Sequence, residues 1–343
     1  MLEEVKYPGF SRNIVSFGMV KDVFVDDDSV KVELRVTSTD DNIKKQLKQS
    51  VESRLKGADF KTVSVLITAP EISGGQQSGG NGAATEENLL PTVKHTIAVA
   101  SGKGGVGKST VAANLATALM KRGFKVGLLD LDVYGPSLPL TMGITEVPKV
   151  LPGNKLLPIK KYDMELMSFG FILGDDSPVI WRGPMVAKLV TQFLNDVQWG
   201  ELDFLIMDLP PGTGDVQLTL VQKLALTGAV IVTTPQDLAL LDVQRGANMF
   251  NKVNTPVLGI VENMSYYVCP ECGHRSEIFS HGGGERESKR LNVALLGRIP
   301  LNEEVMAASD KGQPMTIYNE SSELSKEFMN IADQLIAKVT QEA

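Results

Sequence analysis

The sequence predicts an α/β protein: a doubly wound, mostly parallel sheet domain preceded by a small α+β domain. Three observations predict it. From residue 93 onward, short apolar runs alternate with helix-length amphipathic stretches. A glycine-rich turn joins the first of those runs to its helix. A second glycine-rich stretch, free of aromatics, divides the chain at residues 71–91. With 343 residues the chain accommodates about two domains of roughly 100–200 residues each.

In chain order, residues 14–25, 30–38 and 62–68 read as strands. They flank a helical stretch at 43–55, where Ile43, Leu47, Val51 and Leu55 recur every four residues. Residues 1–70 are therefore a small α+β accessory domain, suited to docking and without a catalytic constellation. Residues 71–91 hold five glycines and almost no branched apolar side chains. Such a stretch buries too little surface to offset its ordering entropy and is expected to be a flexible linker. Residues 92–343 form the large domain. Its strands are expected at 96–100, 126–130, 204–208, 229–233 and 257–261, and its helices at 109–122, 185–197, 216–226 and 238–253. Ligands of such sheets sit at the carboxyl ends of the strands.

Composition excludes several classes. Lys and Arg total 34 against 41 Asp and Glu, a formal net charge of −7, so generic binding to nucleic acid phosphates is not expected. A 43% hydrophobic and 22% charged composition excludes wholesale disorder. No apolar run reaches the roughly 18 residues of a membrane span, and the acidic N-terminus has no signal-peptide core. A cytoplasmic protein without membrane attachment is expected.

The strand at 96–100 runs into Ser101-Gly102-Lys103-Gly104-Gly105-Val106-Gly107-Lys108-Ser109-Thr110 and then a helix. This is the phosphate-binding pattern GxxxxGK[ST] in its strand–loop–helix setting, and it makes the large domain a P-loop NTPase. Backbone N–H groups of Gly102 through Thr110 are expected to surround phosphate oxygens, with the helix N-terminus adding its dipole. Lys108 reaches the terminal phosphates, and the Ser109 hydroxyl is a Mg²⁺ ligand. Asp208, at the end of an apolar run before Leu-Pro-Pro-Gly-Thr-Gly, is expected to hold Mg²⁺ from the opposite side. Asp130 and Asp132 close the strand at 126–130. Pro210, Pro211, Gly212 and Gly214 form a stiff but hinged loop suited to sensing the γ-phosphate. Asp215 is expected to cap the helix after it. Lys103 is either a solvated loop lysine or a charge aimed at a nucleotide on a second subunit.

GKGGVGKST, residues 102–110, is similar to the deviant P-loop of the MinD/ParA/nitrogenase-iron-protein class of dimeric ATPases. Further motifs narrow the resemblance: LLDLDVYGPSLP at 128–139, WRGP at 181–184, MDLPPGTGD at 207–215 and VENMSYYVCPECG at 261–273. Together with the small N-terminal domain they resemble the Mrp family of iron–sulfur cluster carrier ATPases over nearly the whole chain. The resemblance implies ATP and Mg²⁺ as cofactors and catalytic roles for Lys103, Lys108 and Asp132. Asp132 would orient or deprotonate the attacking water. Asn263 would contact the nucleotide base. It also implies a homodimer that serves cluster-assembly scaffold proteins and apo iron–sulfur proteins. Related small domains often carry a cysteine after the second strand, whereas this chain reads Thr37-Ser38-Thr39-Asp40-Asp41-Asn42. A direct ligand role for that domain is therefore not expected.

The chain has only two cysteines, Cys269 and Cys272, in one CxxC. A secreted disulfide scaffold would need more. Three readings remain: a structural zinc site completed by His274 and His281, a thioredoxin-like dithiol, or a cluster shared across a twofold axis. In the last, each chain gives two thiolates and the pair of chains supplies the four ligands of [4Fe–4S]. The family resemblance favours it. The rival function is a MinD/ParA-type partitioning or positioning ATPase. Against it stand the net acidity and residues 323–343, which are not a strongly basic amphipathic helix.

Overall fold

The computed structural model describes residues 2–5, 14–15, 20–26, 29–35, 41–56, 60, 62–68, 89–172 and 183–341. They fall into two compact units, one from the described residues up to Thr68 and one from Leu89 onward. The glycine-rich stretch up to residue 88, residues 37–40, and Trp181 and Arg182 lie outside the described residues.

In the small unit, β1 (Val20–Asp26) pairs antiparallel with β2 (Ser29–Arg35). The chain then passes through α1 (Asp41–Lys56) to β3 (Thr62–Thr68), which pairs parallel with β2. Val30, Val32 and Leu34 alternate along β2 and are buried with Leu47, Val51 and Leu55, four residues apart on α1. Among the described residues, the strand expected at 14–25 is seen as Val20–Asp26, and residues 16–19 lie outside them. Ile14 is instead a buried turn residue whose N–H donates to the Val5 carbonyl at 2.9 Å. Apolar content alone does not separate a buried turn from a strand.

The large unit follows the predicted alternation: β4 (Val93–Ala100), α2 (Lys108–Lys121), β5 (Val126–Asp130) and the short α3 (Leu138–Thr141). Next come the β6–β7 ribbon (Lys149–Leu151 and Lys155–Leu157), β8 (Ile159–Lys161) and β9 (Met164–Ser168). The chain continues through α4 (Gly183–Asp196), β10 (Leu202–Asp208), α5 (Asp215–Lys223), β11 (Gly228–Thr233), α6 (Asp237–Lys252) and β12 (Val257–Glu262). A hairpin of β13 (Tyr267–Val268) and β14 (Arg275–Ser276) precedes α7 (Gly283–Leu291), β15 (Ala294–Arg298), α8 (Glu303–Asp310), α9 (Met315–Tyr318) and α10 (Glu323–Gln341).

Eight strands form one sheet in the order β15-β12-β11-β4-β10-β5-β9-β8, parallel except for β8 at the edge. Its strands are apolar on both sides, as helices on both faces require. Ile97, Val99, Leu128, Ile206, Val230 and Val232 face one cluster with α2 and α10. Ala98, Ala100, Leu129, Leu205, Met207 and Ile231 face the other with α4, α5 and α6. The sequence pattern did not single out β8, β9 or β15, which are short and, at the margins, only half-buried. No helix among the described residues is long and apolar enough to cross a membrane.

Residues 323–341 are an amphipathic helix whose apolar stripe (Leu324, Phe328, Ile331, Leu335, Val339) lies in the core. This accounts for the apolar spacing in that segment without a membrane. Phe328→Ala should therefore destabilise the large unit by about 3–5 kcal/mol, read as a lowered midpoint of urea unfolding.

Candidate functional site

The carboxyl ends of β4, β5, β10 and β12 bring the sequence-predicted residues to one edge of the sheet. After Ala100 the loop turns into α2, whose first residue is Lys108 and whose N-cap is Gly107 in the left-handed region, φ 79°. No side chain caps this terminus, so its first N–H groups are directed toward an incoming anion. Gly107 is required twice. Its φ disfavours a Cβ, and a Cβ there would lie 2.2 Å from Asn263 Nδ2. At Gly102 the constraint is space alone, because a Cβ would collide with Cβ of Asp242 on α6 at 2.1 Å.

Lys108 is buried and ion-paired with Asp208, which is also buried. The Ser109 hydroxyl lies 3.4 Å from Lys108 Nζ. The proposed phosphate and Mg²⁺ groups are thus in mutual contact. Burial pushes the Asp208 carboxyl upward, while the Lys108 ammonium pulls it the other way.

Asp130 faces Asp208 in the register of β5 and β10 and is fully buried. Its Oδ1 accepts from the Asp132 N–H at 3.0 Å. Its Oδ2 accepts from the Ser137 N–H at 3.0 Å, the Leu138 N–H at 3.1 Å and the Ser168 hydroxyl at 3.0 Å. It therefore organises the loop that carries Asp132. The strand ends at Asp130, and Asp132 lies one step into the loop, where its Oδ1 accepts from the N–H groups of Tyr134 and Gly135 at 3.0 and 3.2 Å. Burial and the charge of Asp208 push the Asp130 carboxyl up to about 7, against the pull of its backbone donors.

Lys103 is directed away from this cluster: its Nζ donates to Gln236 Oε1 at 3.0 Å, at the start of α6. The Pro210–Gly214 turn is tied to the phosphate loop by the Gly212 N–H, which donates to the Ser101 carbonyl at 2.9 Å. Gln217, which the sequence gave no reason to single out, holds it from the other side through Nε2 to the Pro211 carbonyl at 2.6 Å. Asp215 is not the cap expected of it. Gly214 takes the N-cap in an extended conformation and its carbonyl accepts from Leu218 N–H at 3.1 Å, which makes Asp215 the first helical residue. Asn263, directly after β12, is buried, and its Nδ2 donates to the Val106 carbonyl at 2.8 Å. Next to it, buried Glu262 accepts from the Ser265 hydroxyl at 2.5 Å and from the Gly284 N–H in the first turn of α7. Arg298 approaches Glu262 at 3.8 Å. This polar anchor was not visible in the sequence, where Glu262 reads as the end of an apolar strand.

The cysteines cap the β13–β14 hairpin. Cys269 N–H donates to the His274 carbonyl at 3.0 Å and Gly273 N–H to the Cys269 carbonyl at 2.9 Å, with Gly273 at φ 69° closing the turn. The N–H groups of Cys272 and Glu271 point at the Cys269 sulfur and hold its thiol below the usual range, which favours the thiolate that metals bind. Cys272 is exposed. Among the described residues no three His, Cys, Asp or Glu side chains come together to hold a metal ion. His281 instead lies 3.3 Å from Glu277.

A glycine-rich turn at a helix start, a buried lysine–aspartate pair beneath it and a second loop ending the adjacent strand define a P-loop NTPase. Residues 92–336 match the NUBPL iron-transfer P-loop NTPases, and residues 1–66 match an iron-sulfur cluster assembly protein domain. The iron-sulfur cluster carrier protein of Escherichia coli (strain K12) is 40% identical over 345 residues, spanning 98% of this chain and 90% of that protein. Its counterpart from Aquifex aeolicus is 53% identical over 248 residues, 72% of this chain and 68% of that one. Among solved structures, a nucleotide-binding protein from Archaeoglobus fulgidus in complex with ADP aligns with a TM-score of 0.62 at 38% identity, over 72% of this chain and 98% of that one. The cell division ATPase MinD of Pyrococcus furiosus shares the fold, with a TM-score of 0.55 at 23% identity over 71% of this chain and 98% of that one. The chain belongs to the family of NUBPL iron-transfer P-loop NTPases.

The raised Asp130 carboxyl has a consequence for stability. Between its ordinary value of 3.8 and about 7, the folded protein holds a proton that the unfolded chain releases. The contribution of this group is therefore full below the lower value and is lost as pH rises through the upper one. Urea unfolding should show wild-type stability falling relative to Asp130→Asn between about pH 4 and about pH 7 and level above that.

Proposed function

We propose that the protein is a cytosolic, homodimeric ATPase that holds an iron–sulfur cluster between two copies of itself and passes it to apo-proteins. The observation that carries this reading is the cysteine hairpin. It offers one exposed thiol, Cys272, and one half-buried thiol, Cys269, predisposed to the thiolate, in the same compact unit as the P-loop. Two thiolates per chain are half of a Cys₄ set, and a twofold axis supplies the other half. The names of the relatives point the same way. Cluster-assembly scaffold proteins would load the carrier and apo iron–sulfur proteins would receive its cargo. Neither nucleic acid nor a membrane is required.

In this reading the N–H groups of the loop from Gly102 to Thr110 cradle ATP phosphates, and Lys108 leaves Asp208 to reach the terminal ones. Ser109 and Asp208 fit Mg²⁺, an oxygen-seeking ion that neutralises phosphate charge when bound. Once Lys108 leaves, a cation is needed to offset the burial that pushes the Asp208 carboxyl upward, and Mg²⁺ would supply that charge. Asp132 orients the attacking water, and Asn263 exchanges the Val106 carbonyl for the base. Lys103 reaches the nucleotide of the partner subunit. Hydrolysis is slow and acts as a switch, read by the Pro210–Gly214 turn.

Two substitutions separate the loop lysines. Lys108→Ala should abolish phosphate release with the fold retained, as judged by circular dichroism. Lys103→Ala should keep the affinity of the monomer for ATP and lose hydrolysis. A collapse of ATP affinity in Lys103→Ala equal to that in Lys108→Ala would end the cross-subunit role.

Anaerobic reconstitution with iron and sulfide should give a brown protein with about four irons per dimer. Cys269→Ala and Cys272→Ala should each abolish iron retention, since symmetry removes two ligands at once, and should leave basal hydrolysis near wild type. Finding one zinc per chain, lost in His274→Ala, would replace the carrier reading with a structural zinc site.

A further inference from the structure

Between Asn263, whose side chain touches the phosphate loop, and the cysteine hairpin the chain passes through one residue in an unfavourable conformation. Met264 has φ 54°, the left-handed region, where a Cβ clashes with the backbone. Both of its neighbours are fixed. Before it, the Asn263 N–H donates to the Thr233 carbonyl and Nδ2 to the Val106 carbonyl, each at 2.8 Å. After it, the Ser265 N–H donates to the Ile299 carbonyl at 2.9 Å and its hydroxyl to Glu262 Oε1 at 2.5 Å. Asn263 crowds the P-loop and Met264 lies beside it: a Cβ on Gly107 would clash with Asn263 Nδ2 at 2.2 Å and lie at contact distance, 3.9 Å, from Met264 Cε.

The same segment continues directly into the hairpin. The Tyr266 carbonyl accepts from the Leu301 N–H at 2.7 Å, and the Arg275 guanidinium stacks 3.7 Å over the Tyr266 ring. Tyr267 pairs with Ser276, and Val268 with Arg275, to close the ladder that carries Cys269 and Cys272. One short stretch of backbone therefore touches the phosphate loop at one end and forms a strand of the thiol hairpin at the other.

We propose that Met264 is a positioning residue that passes the nucleotide state of the P-loop to Cys269 and Cys272. A residue held left-handed between two anchors has a second, ordinary setting of lower intrinsic energy. A nucleotide that draws the P-loop and Asn263 apart removes one anchor and favours that second setting, which turns the hairpin. What the thiols carry rests on the cluster-carrier reading; the link itself does not.

The test uses the full-length, metal-free, reduced protein. Iodoacetamide alkylation of the two thiols is timed by mass spectrometry with and without a non-hydrolysable ATP analogue, and analogue affinity is measured in parallel. In the wild type the analogue should change the alkylation rate by about fivefold or more, the lower end of ordinary coupling between sites. Met264→Gly and Met264→Asn, which hold the left-handed setting at little cost, should bring that ratio close to unity with analogue affinity retained. Met264→Leu, which keeps the cost, should preserve the wild-type ratio. The proposal is overturned by a wild-type ratio of one, by wild-type ratios in both Gly and Asn variants, or by loss of analogue affinity in them. Iron content after reconstitution is scored separately. A wild type whose thiols respond to nucleotide but which retains no iron keeps this link and defeats the carrier reading instead.

Discussion

The buried pair of Lys108 and Asp208 is the interaction around which the phosphate site is organised. Each charge has been taken out of water, and each is tolerable only because the other lies beside it. The pair joins the first turn of α2 to the end of β10 and so fixes the phosphate loop above the sheet. It also sets the terms for a ligand. A phosphate entering the loop competes with Asp208 for Lys108, and the released carboxylate then needs a cation of its own. The site thus contains, in one contact, both halves of the set that a metal–nucleotide complex would complete.

Around that pair the chain is tied by backbone bonds rather than by further charges. The Leu131 N–H donates to the Asp208 carbonyl at 2.9 Å, and Gly212 joins the next loop to Ser101. Asp130 spends its carboxylate on the loop that carries Asp132. The consequence is a group of loops that move as neighbours. Displacing one changes the hydrogen-bond partners of the next, which is how a small change at a phosphate becomes a change of loop geometry.

Much of this was legible because it obeys short-range rules. The phosphate loop is a run of contiguous residues with a fixed spacing, and the strands of the central sheet announce themselves as apolar runs ended by Asp130, Asp208 or Glu262. The sites missed are those made by residues distant in sequence. Gln217 matters because of where the Pro211 carbonyl falls, and Glu262 because Gly284 and Arg298 return to it more than twenty residues later. Asp130 reads in the sequence only as the end of its strand, and its partners Ser137, Leu138 and Ser168 are supplied by the fold. The predisposition of Cys269 to the thiolate depends on two N–H directions that no residue pattern records. The edge strands β8 and β15 escaped notice because short, partly exposed strands lack the continuous apolar run of the interior.

The hairpin that carries the thiols has strands of two residues each. A ladder this short has little stability of its own, and its tip should open far more readily than the sheet below it. Backbone amides at the tip would then exchange with solvent on a much faster clock than those of β4 or β10. Any cargo held there must order the loop as it binds, so part of the strength of its metal–sulfur bonds is offset by that ordering. The grip is weaker for it, and a grip of moderate strength is what lets a carrier surrender what it carries.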